Sequence, residues 1–553
     1  MDRLLRIFNK EFNKISEAAF VLGAFTLASQ LLAIVRDRLL AGSIGPGTIL
    51  DAYYAAFRVP DLLFTLGAAL VSVSILMPFF KKHIKKGEGK EFINDVFTSF
   101  FSFIVIAAII LFILMPYLAE LLFPGFDPNT LNDTILLSRI MLLSPIFLGI
   151  SNLFATITQT FKKFFVYALA PVFYNLGVII GIAFLYPQFG ILGFAYGVAL
   201  GALLHMAIQL PVVIHQGYLP ALSHSINWTA ILTILKHSLP RTLTLSMSKI
   251  VFLIFVSLGS TLAVGAISVF NLSYNLQSVP LALIGVSYSV AAFPTLVEYY
   301  NERNFQEFMH HVMIPIRQII FWSLPVVSLF IVLRAQIVRI ILGTGNFDWS
   351  DTRLTAAALA LFIISVVAQS IVLLLIRAYY AAGKTWKPLW LTLGSSALSV
   401  ALAFLFAWLF DTVPVFSQTL ENLLRIPGVP GSHVIVLPLA YSVGMFINLL
   451  LLWKAFVKDF NYVSGFQIRK TFYQSLLASL LMGIVAYGSL RFFDIYFSQA
   501  KVIDVFFHGF ASGVAAVIVG ACYLLLLRNQ ETILLKDSIT RKIQKVLANK
   551  GNR

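Results

Sequence analysis

FTLASQLLAIVRDRLLAGSIGPGTILDAYYAAFRVPDLLFTLGAALVSVSILMP, residues 25–78, is the stretch on which the fold turns. It reads as two apolar helices joined by a tight turn at Gly45, Pro46 and Gly47. In an otherwise apolar context it carries Arg36, Asp37, Arg38, Asp51, Arg58 and Asp61. Charges at membrane depth are expensive and face an aqueous cavity more often than lipid. On the second helix Asp51, Tyr54, Arg58, Asp61 and Thr65 fall at i, i+3, i+7, i+10 and i+14, a single helical stripe. A lone buried pair would read as glue between helices. Two charged helices side by side favour a polar cavity.

The rest of the chain has the same apolar character. Of 553 residues, 59% are hydrophobic and 12% charged, and the mean hydropathy is +0.88. Apolar runs of about 20 residues recur throughout, each long enough to cross a bilayer as a helix. The chain is therefore expected to be an all-α polytopic membrane protein, without the alternating strands of a membrane barrel. The net charge of +16 does not point to nucleic acid, because the basic residues gather in alternate loops, as membrane orientation demands. The single cysteine, Cys522, excludes an internal disulfide framework or a paired-cysteine metal site. No P-loop, HExxH or GxSxG motif occurs, so neither ATP hydrolysis nor these catalytic chemistries, and no cofactor, is implied.

About fourteen spans are expected by length, at approximately 15–42, 50–80, 92–118, 133–160, 165–186, 190–214, 229–258, 264–296, 312–340, 353–382, 388–410, 434–454, 471–495 and 502–527. Residues 1–14 interleave Leu4, Leu5, Ile7 and Phe8 with Arg3, Arg6 and Lys10, the pattern of an interfacial helix on the cytoplasmic face. The loop from Lys81 to Lys90, Lys162-Lys163, Lys384 with Lys387, Lys454 to Lys470 and the tail 528–553 are basic; residues 43–49, 119–132 and 341–352 are neutral or acidic. The positive-inside rule places both termini in the cytoplasm.

DAYYAAFRVP (51–60) reappears as NLSYNLQSVP (271–280): Gly45, Asp51, Tyr54 and Val59-Pro60 keep register with Gly265, Asn271, Tyr274 and Val279-Pro280. Ala195-Tyr196 and Val198 resemble Ala440-Tyr441 and Val443 at a larger spacing, the excess falling in the loop around Asp411 to His433. An even number of spans separates the copies, which makes them parallel repeats. The expected organisation is an N-terminal lobe, 15–214, a C-terminal lobe, 229–454, two trailing spans, 471–527, and a basic tail, 528–553, with a central cavity between two six-helix lobes.

Arginines suit a phosphate-bearing ligand, since a guanidinium stays charged and binds phosphate through two parallel hydrogen bonds. Arg36 and Asp37 share a face of the first span with Ser29, and Gln30 lies beside it. Arg36 and Arg58 are the principal anion contacts, with Asp37 or Asp51 orienting one guanidinium. Lys249, deep in the seventh span, is a third candidate; Arg241, Arg139, Arg317 and Arg377 read as interfacial anchors. The eighth span carries the stripe in uncharged form, with Asn271, Tyr274, Asn275 and Ser278. Pro60, Pro78, Pro280 and Pro294 read equally as hinges or as static packing kinks.

The stretch also resembles the MurJ (MviN) family, the lipid II flippases of the MOP exporter superfamily. The matching residues are Ser29, Arg36-Asp37, Ile44-Gly45, Gly47, Asp51-Ala52-Tyr53, Ala56-Phe57-Arg58 and Pro60. The family usually has arginine where Gln30 and Asn275 stand, and one or two arginines at Phe64 and Thr65. The resemblance implies two lobes of six spans plus two more. It implies a lipid-linked glycan pyrophosphate as substrate, carried across the bacterial inner membrane by alternating access for peptidoglycan synthesis. The changes at Gln30, Thr65 and Asn275 keep open a flippase for another undecaprenyl-linked oligosaccharide. A MATE-like drug or cation antiporter ranks below both, since its cavity would be acidic or aromatic, and a non-transporting scaffold would need no charges in the bilayer.

Overall fold

The computed structural model describes residues 15–460, 466–495, 502–534, 536–537 and 540; the expected interfacial segment 1–14 and the end of the basic tail, 541–553, lie outside the described residues. Among the described residues there is helix and turn but no strand. Twelve helices are long and apolar enough to cross a membrane, and the pair Trp349–Ile364 and Val366–Ala381, bent by 42°, makes thirteen when counted as one span. Ahead of these, α1 (Ile15–Ser43) is 29 residues long, a rise of about 43 Å at 1.5 Å per residue, and occupies the first expected span. Large apolar side chains point outward along the helices, for example Ile106, Ile113 and Leu121 at 58%, 61% and 75% exposure. That is the surface a bilayer covers.

By contacts the chain divides into two compact units, Met1–Asn271 with Thr344–Asp348, and Leu272–Gly343 with Trp349–Arg553. In the first unit, α1 ends at a turn whose Gly45 adopts φ 74°, a left-handed conformation that favours glycine. A Cβ there would also run into the backbone carbonyl of Asn346. The 344–348 segment is tied to this turn: the Asn346 N–H donates to the Gly42 carbonyl at 3.0 Å, and its Nδ2 donates to the Ser43 carbonyl at 2.9 Å.

The second expected span is one apolar run from Thr48 to Lys85, folded as α2 (Thr48–Ala56), α3 (Arg58–Val71) and α4 (Val73–Lys85). The α2–α3 break has a residue-level cause. Pro60 has no N–H and cannot bond the carbonyl of Ala56, four residues back. The Ser138 hydroxyl supplies the missing donor, at 3.2 Å. Next come α5 (Gly89–Leu122), α6 (Pro128–Met141), α7 (Leu143–Thr160), α8 (Phe164–Ile180) and α9 (Leu192–Ala207). Asp127 caps α6, accepting from Asn129 N and Thr130 N. These hydrogen bonds, led by that from the Thr130 side chain, hold its carboxyl below the ordinary aspartate value. Where α8 and its π-helical extension meet α9, Gly181 faces Gly197 so closely that a Cβ on either would strike backbone, the small-residue packing of membrane helices. The 35-residue α10 (Trp228–Leu262) packs along α3.

The second unit holds most of α11 (Ala266–Leu281), then α12 (Ser287–Asn301), α13 (Phe305–Val332), α14 (Arg334–Leu342), α15 (Trp349–Ile364), α16 (Val366–Ala381), α17 (Trp386–Thr412), α18 (Pro414–Leu424), α19 (Val436–Asp459), α20 (Phe466–Phe493) and α21 (Val502–Leu526). Pro280 is followed by a π-helical turn, Ala282–Val286. The ninth span, expected at 312–340, lies instead at Phe305–Val332. Asn304 starts it early by accepting from Glu307 N at 3.2 Å, and Leu333 separates it from the short α14.

Arg317, expected as an interfacial anchor, is 7% exposed. Its Nε lies 3.3 Å from Glu531 Oε1, and Nη1 donates to Gln467 and Gln530. The start of the tail is thus pinned to α13, which also packs against α20, and α20 against α21.

Candidate functional site

The charged residues of the opening stretch gather in the first unit on α1, α3, α8, α10 and the start of α11. Arg36 donates to one oxygen of Asp37 twice, from Nε at 2.9 Å and Nη2 at 2.7 Å. Its Nη1 reaches Asn175 Oδ1 at 3.4 Å. Asn175 Nδ2 in turn donates to Ser29 Oγ at 3.1 Å and to the Pro171 carbonyl at 3.2 Å. Ser29, Arg36 and Asp37 therefore form one polar chain tying α1 to α8. Gln30 is partly buried next to Ser29.

Arg58 sits where α2 breaks. Its Nε donates to the Tyr54 carbonyl at 3.0 Å, Nη2 donates to Asn271 Oδ1 at 2.5 Å, and the guanidinium lies 5.8 Å from the centre of the Phe252 ring. Asn271 is held in turn by donating to the Ile267 carbonyl at 2.7 Å. One turn further along α3, Asp61 Oδ2 accepts from Lys249 Nζ at 2.7 Å. The Lys249 and Asp61 side chains are 41% and 32% exposed, against 21% and 8% for Arg36 and Asp37. The two ion pairs thus differ in kind. The exposed one is worth about 0–1 kcal/mol and exchanges partners readily, whereas the more buried one is costly to open.

Two tyrosines join these groups. Tyr54 lies within electrostatic range of Asp37, Arg36 and Arg58, and Tyr174 within range of Arg36 and Asp61. The Tyr54 hydroxyl is buried and has no hydrogen-bond partner among the described residues. Three cations, Arg36, Arg58 and Lys249, thus meet two carboxylates, Asp37 and Asp61, leaving the cluster positive. Beside α3 a cavity of about 70 Å³ is lined by Asp61, Phe57, Pro60 and Tyr174. That is room for a few water molecules and too little for a whole sugar pyrophosphate.

Asp51 has a different place. It is 3% exposed, and its oxygens accept from Gly265 N at 2.7 Å, Ser268 N at 2.7 Å and Ser268 Oγ at 2.6 Å. It caps the start of α11 from another helix, satisfying N–H groups that the helix cannot. Asn275 belongs to the second unit, half-buried, with its carbonyl accepting from Ser278 Oγ at 2.7 Å.

Sequence reasoning singled out the cations but not their partners. Asn175 was missed; the available signal was a single amide side chain in an otherwise apolar helix, four residues after Pro171. Asp61 was legible as a stripe residue, though nothing local joins it to Lys249.

The family model described as lipid II flippase MurJ matches residues 40–507. The probable lipid II flippase MurJ of Thermotoga maritima is 29% identical over 385 residues, which cover 69% of this chain and 77% of that protein. The Haemophilus influenzae protein of the same description is 24% identical over 532 residues, covering 93% and 100%. Among solved structures, a lipid II flippase MurJ in an inward closed conformation superposes with a TM-score of 0.74 at 21% identity, covering 92% of this chain and all (100%) of that one. An inward-facing multidrug resistance MATE transporter of the MOP superfamily follows at 0.61 and 16% identity, covering 81% and 100%.

Proposed function

This chain belongs to the lipid II flippase MurJ family, and from that premise we propose that it carries lipid II from the inner to the outer leaflet of the bacterial inner membrane. The observation that carries the reading is the family match across residues 40–507, which takes in Arg58 and Lys249. The charged cluster supplies the chemistry. A pyrophosphate entering beside α3 displaces Asp61 from Lys249, because that exposed pair is weakly held. Arg58, steadied by Tyr54 and Asn271, presents a guanidinium to the same anion. Arg36 adds a fixed positive charge behind them, and the unpartnered Tyr54 hydroxyl a donor. Asp51 acts at a distance, by setting the start of α11.

In this reading the chain is a transporter and not an enzyme. Two six-span lobes, 15–214 and 229–454, rock by alternating access around the head group, spans 471–527 flank them, and both termini are cytoplasmic. ATP is not consumed. Each negative charge moved outward gains roughly 2.3 kcal/mol per 100 mV of inside-negative potential, enough for a pyrophosphate to be driven electrically.

The test is rescue of a bacterial strain depleted of its lipid II flippase. The unaltered chain is expected to restore growth, and Arg36→Ala and Arg58→Ala to insert at normal levels without restoring it. Failure of the unaltered chain to rescue, with rescue of a strain lacking another undecaprenyl-linked oligosaccharide flippase, would overturn the substrate. Rescue by both variants would overturn the site.

A further inference from the structure

A second basic centre lies in the second unit, built from residues that the site above does not use. A cavity of about 490 Å³ is lined by Arg334, Arg353, Arg425 and Arg491 together with Trp349 and Tyr487. The elements reach it by their ends: α13 finishes there, α14 and α15 begin there, α18 ends at Leu424, and α20 brings its last turns. Helices that start and stop at one level mark a membrane face, and Trp349 and Tyr487, 53% and 39% exposed, are the residue types that settle at such a face.

The arginines are held by neutral oxygens. Arg334 Nη2 donates to the Leu424 carbonyl at 2.7 Å, and Arg353 Nη2 to the Arg425 carbonyl at 2.9 Å. Arg425 and Arg491 both donate to the Tyr487 hydroxyl, at 3.3 and 2.9 Å, with guanidiniums 5.5 and 5.4 Å from the ring centre. Among the described residues no ion pair within salt-bridge distance engages any of these four. The acid of the lining, Asp494, lies 3.6 Å from His508 and within electrostatic range of Arg491, beyond salt-bridge distance. Each guanidinium offers five N–H donors, so most of their capacity remains. Burial first, and then the neighbouring charge of Arg425, pull the Arg334 guanidinium below its ordinary value. Arg425 itself adopts φ 62° at the end of α18, a left-handed conformation uncommon for a residue with a side chain.

The wall is also partly apolar, with Val332, Leu423 and Leu490 beside the arginines. The volume lies in the range of small-molecule sites, about 300–1,000 Å³, and a bare phosphate would leave the apolar part unused. We propose that this cavity is a phosphate site that takes the head group of an anionic phospholipid from the bilayer. The arginines bond the phosphate in pairs, and the glycerol and upper acyl chain lie along Val332 and Leu423. A zwitterionic head group fits poorly, because its own cation would be pressed among four guanidiniums.

The test is native mass spectrometry of the full chain in detergent with phosphatidylglycerol or phosphatidylcholine of matched acyl chains. Phosphatidylglycerol is expected to bind at least about tenfold more tightly, and Arg353→Gln with Arg491→Gln to remove that preference. The matched lysine double variant should keep most of it. Arg491→Gln alone, on an exposed side chain, serves if the double variant melts early, and should still weaken phosphatidylglycerol several-fold. Equal binding of the two lipids, or an unchanged preference in the glutamine variants, would overturn the site. Displacement of phosphatidylglycerol by inorganic phosphate at matched concentration would assign the arginines to a soluble anion and overturn the lipid as occupant.

Discussion

Lys249 and Asp51 are both charged side chains inside apolar helices, and the structure gives them opposite jobs. Lys249 pairs with Asp61 at 2.7 Å with 41% of its side chain exposed, so the pair adds about 0–1 kcal/mol to stability. Lys249→Met should therefore leave thermal melting in detergent nearly unchanged while growth rescue is lost; a large fall in melting temperature would mark it as structural. Asp51, 3% exposed, holds two N–H groups and a hydroxyl at the start of α11. Removing it leaves buried donors without an acceptor, at a cost of about 2–4 kcal/mol. Asp51→Ala should lower the melting temperature and the amount of protein in the membrane, and Asp51→Asn, which keeps one acceptor, should do less of both. Equal stability of Asp51→Ala and the unaltered chain would refute the capping role.

At the scale of elements, the break between α2 and α3 and the seam between α13 and the tail are the places where sequence causes shape most visibly. Pro60 frees the Ala56 carbonyl and Ser138 takes it up. Ser138→Ala should cost about 1–2 kcal/mol on its own and less when Pro60→Ala restores a backbone donor, a coupling that a double-mutant cycle by chemical denaturation would detect. Additive effects would show that the hydroxyl does not answer the proline. For the buried Arg317–Glu531 pair, Arg317→Met alone should cost about 3–5 kcal/mol by stranding a carboxylate, and Arg317→Met with Glu531→Met much less. Thermal melts of the two variants check this; equal losses would contradict it. The helices themselves were legible, because apolar runs of membrane length admit few other readings. The ninth span was displaced because a cap at Asn304 outweighed the mixed charges around it. Arg317 was misjudged because its partner, Glu531, lies beyond five further spans in sequence, where no local pattern records it.

At the scale of the molecule, the repeat of 51–60 in 271–280 and the charged stripe of 25–78 were visible because they are patterns within a segment. The assignments Asp51 to α11, Asp61 to Lys249 and Arg36 to Asn175 were not, since each joins residues far apart in the chain. The arginine cavity escaped for the same reason: read loop by loop, its face looks neutral or acidic, and Arg334, Arg353, Arg425 and Arg491 meet only on folding. What remains is whether the cations of the first unit move a pyrophosphate-bearing lipid. The most direct measurement is the rate at which lipid II crosses the bilayer of proteoliposomes holding equal amounts of the unaltered chain or the Arg36→Ala, Arg58→Ala double variant, with an inside-negative potential imposed. Lipid II is expected to appear at the outer leaflet with the unaltered chain and to stay at the protein-free rate with the double variant. Crossing at the same rate in both would contradict the assignment of these arginines to the substrate.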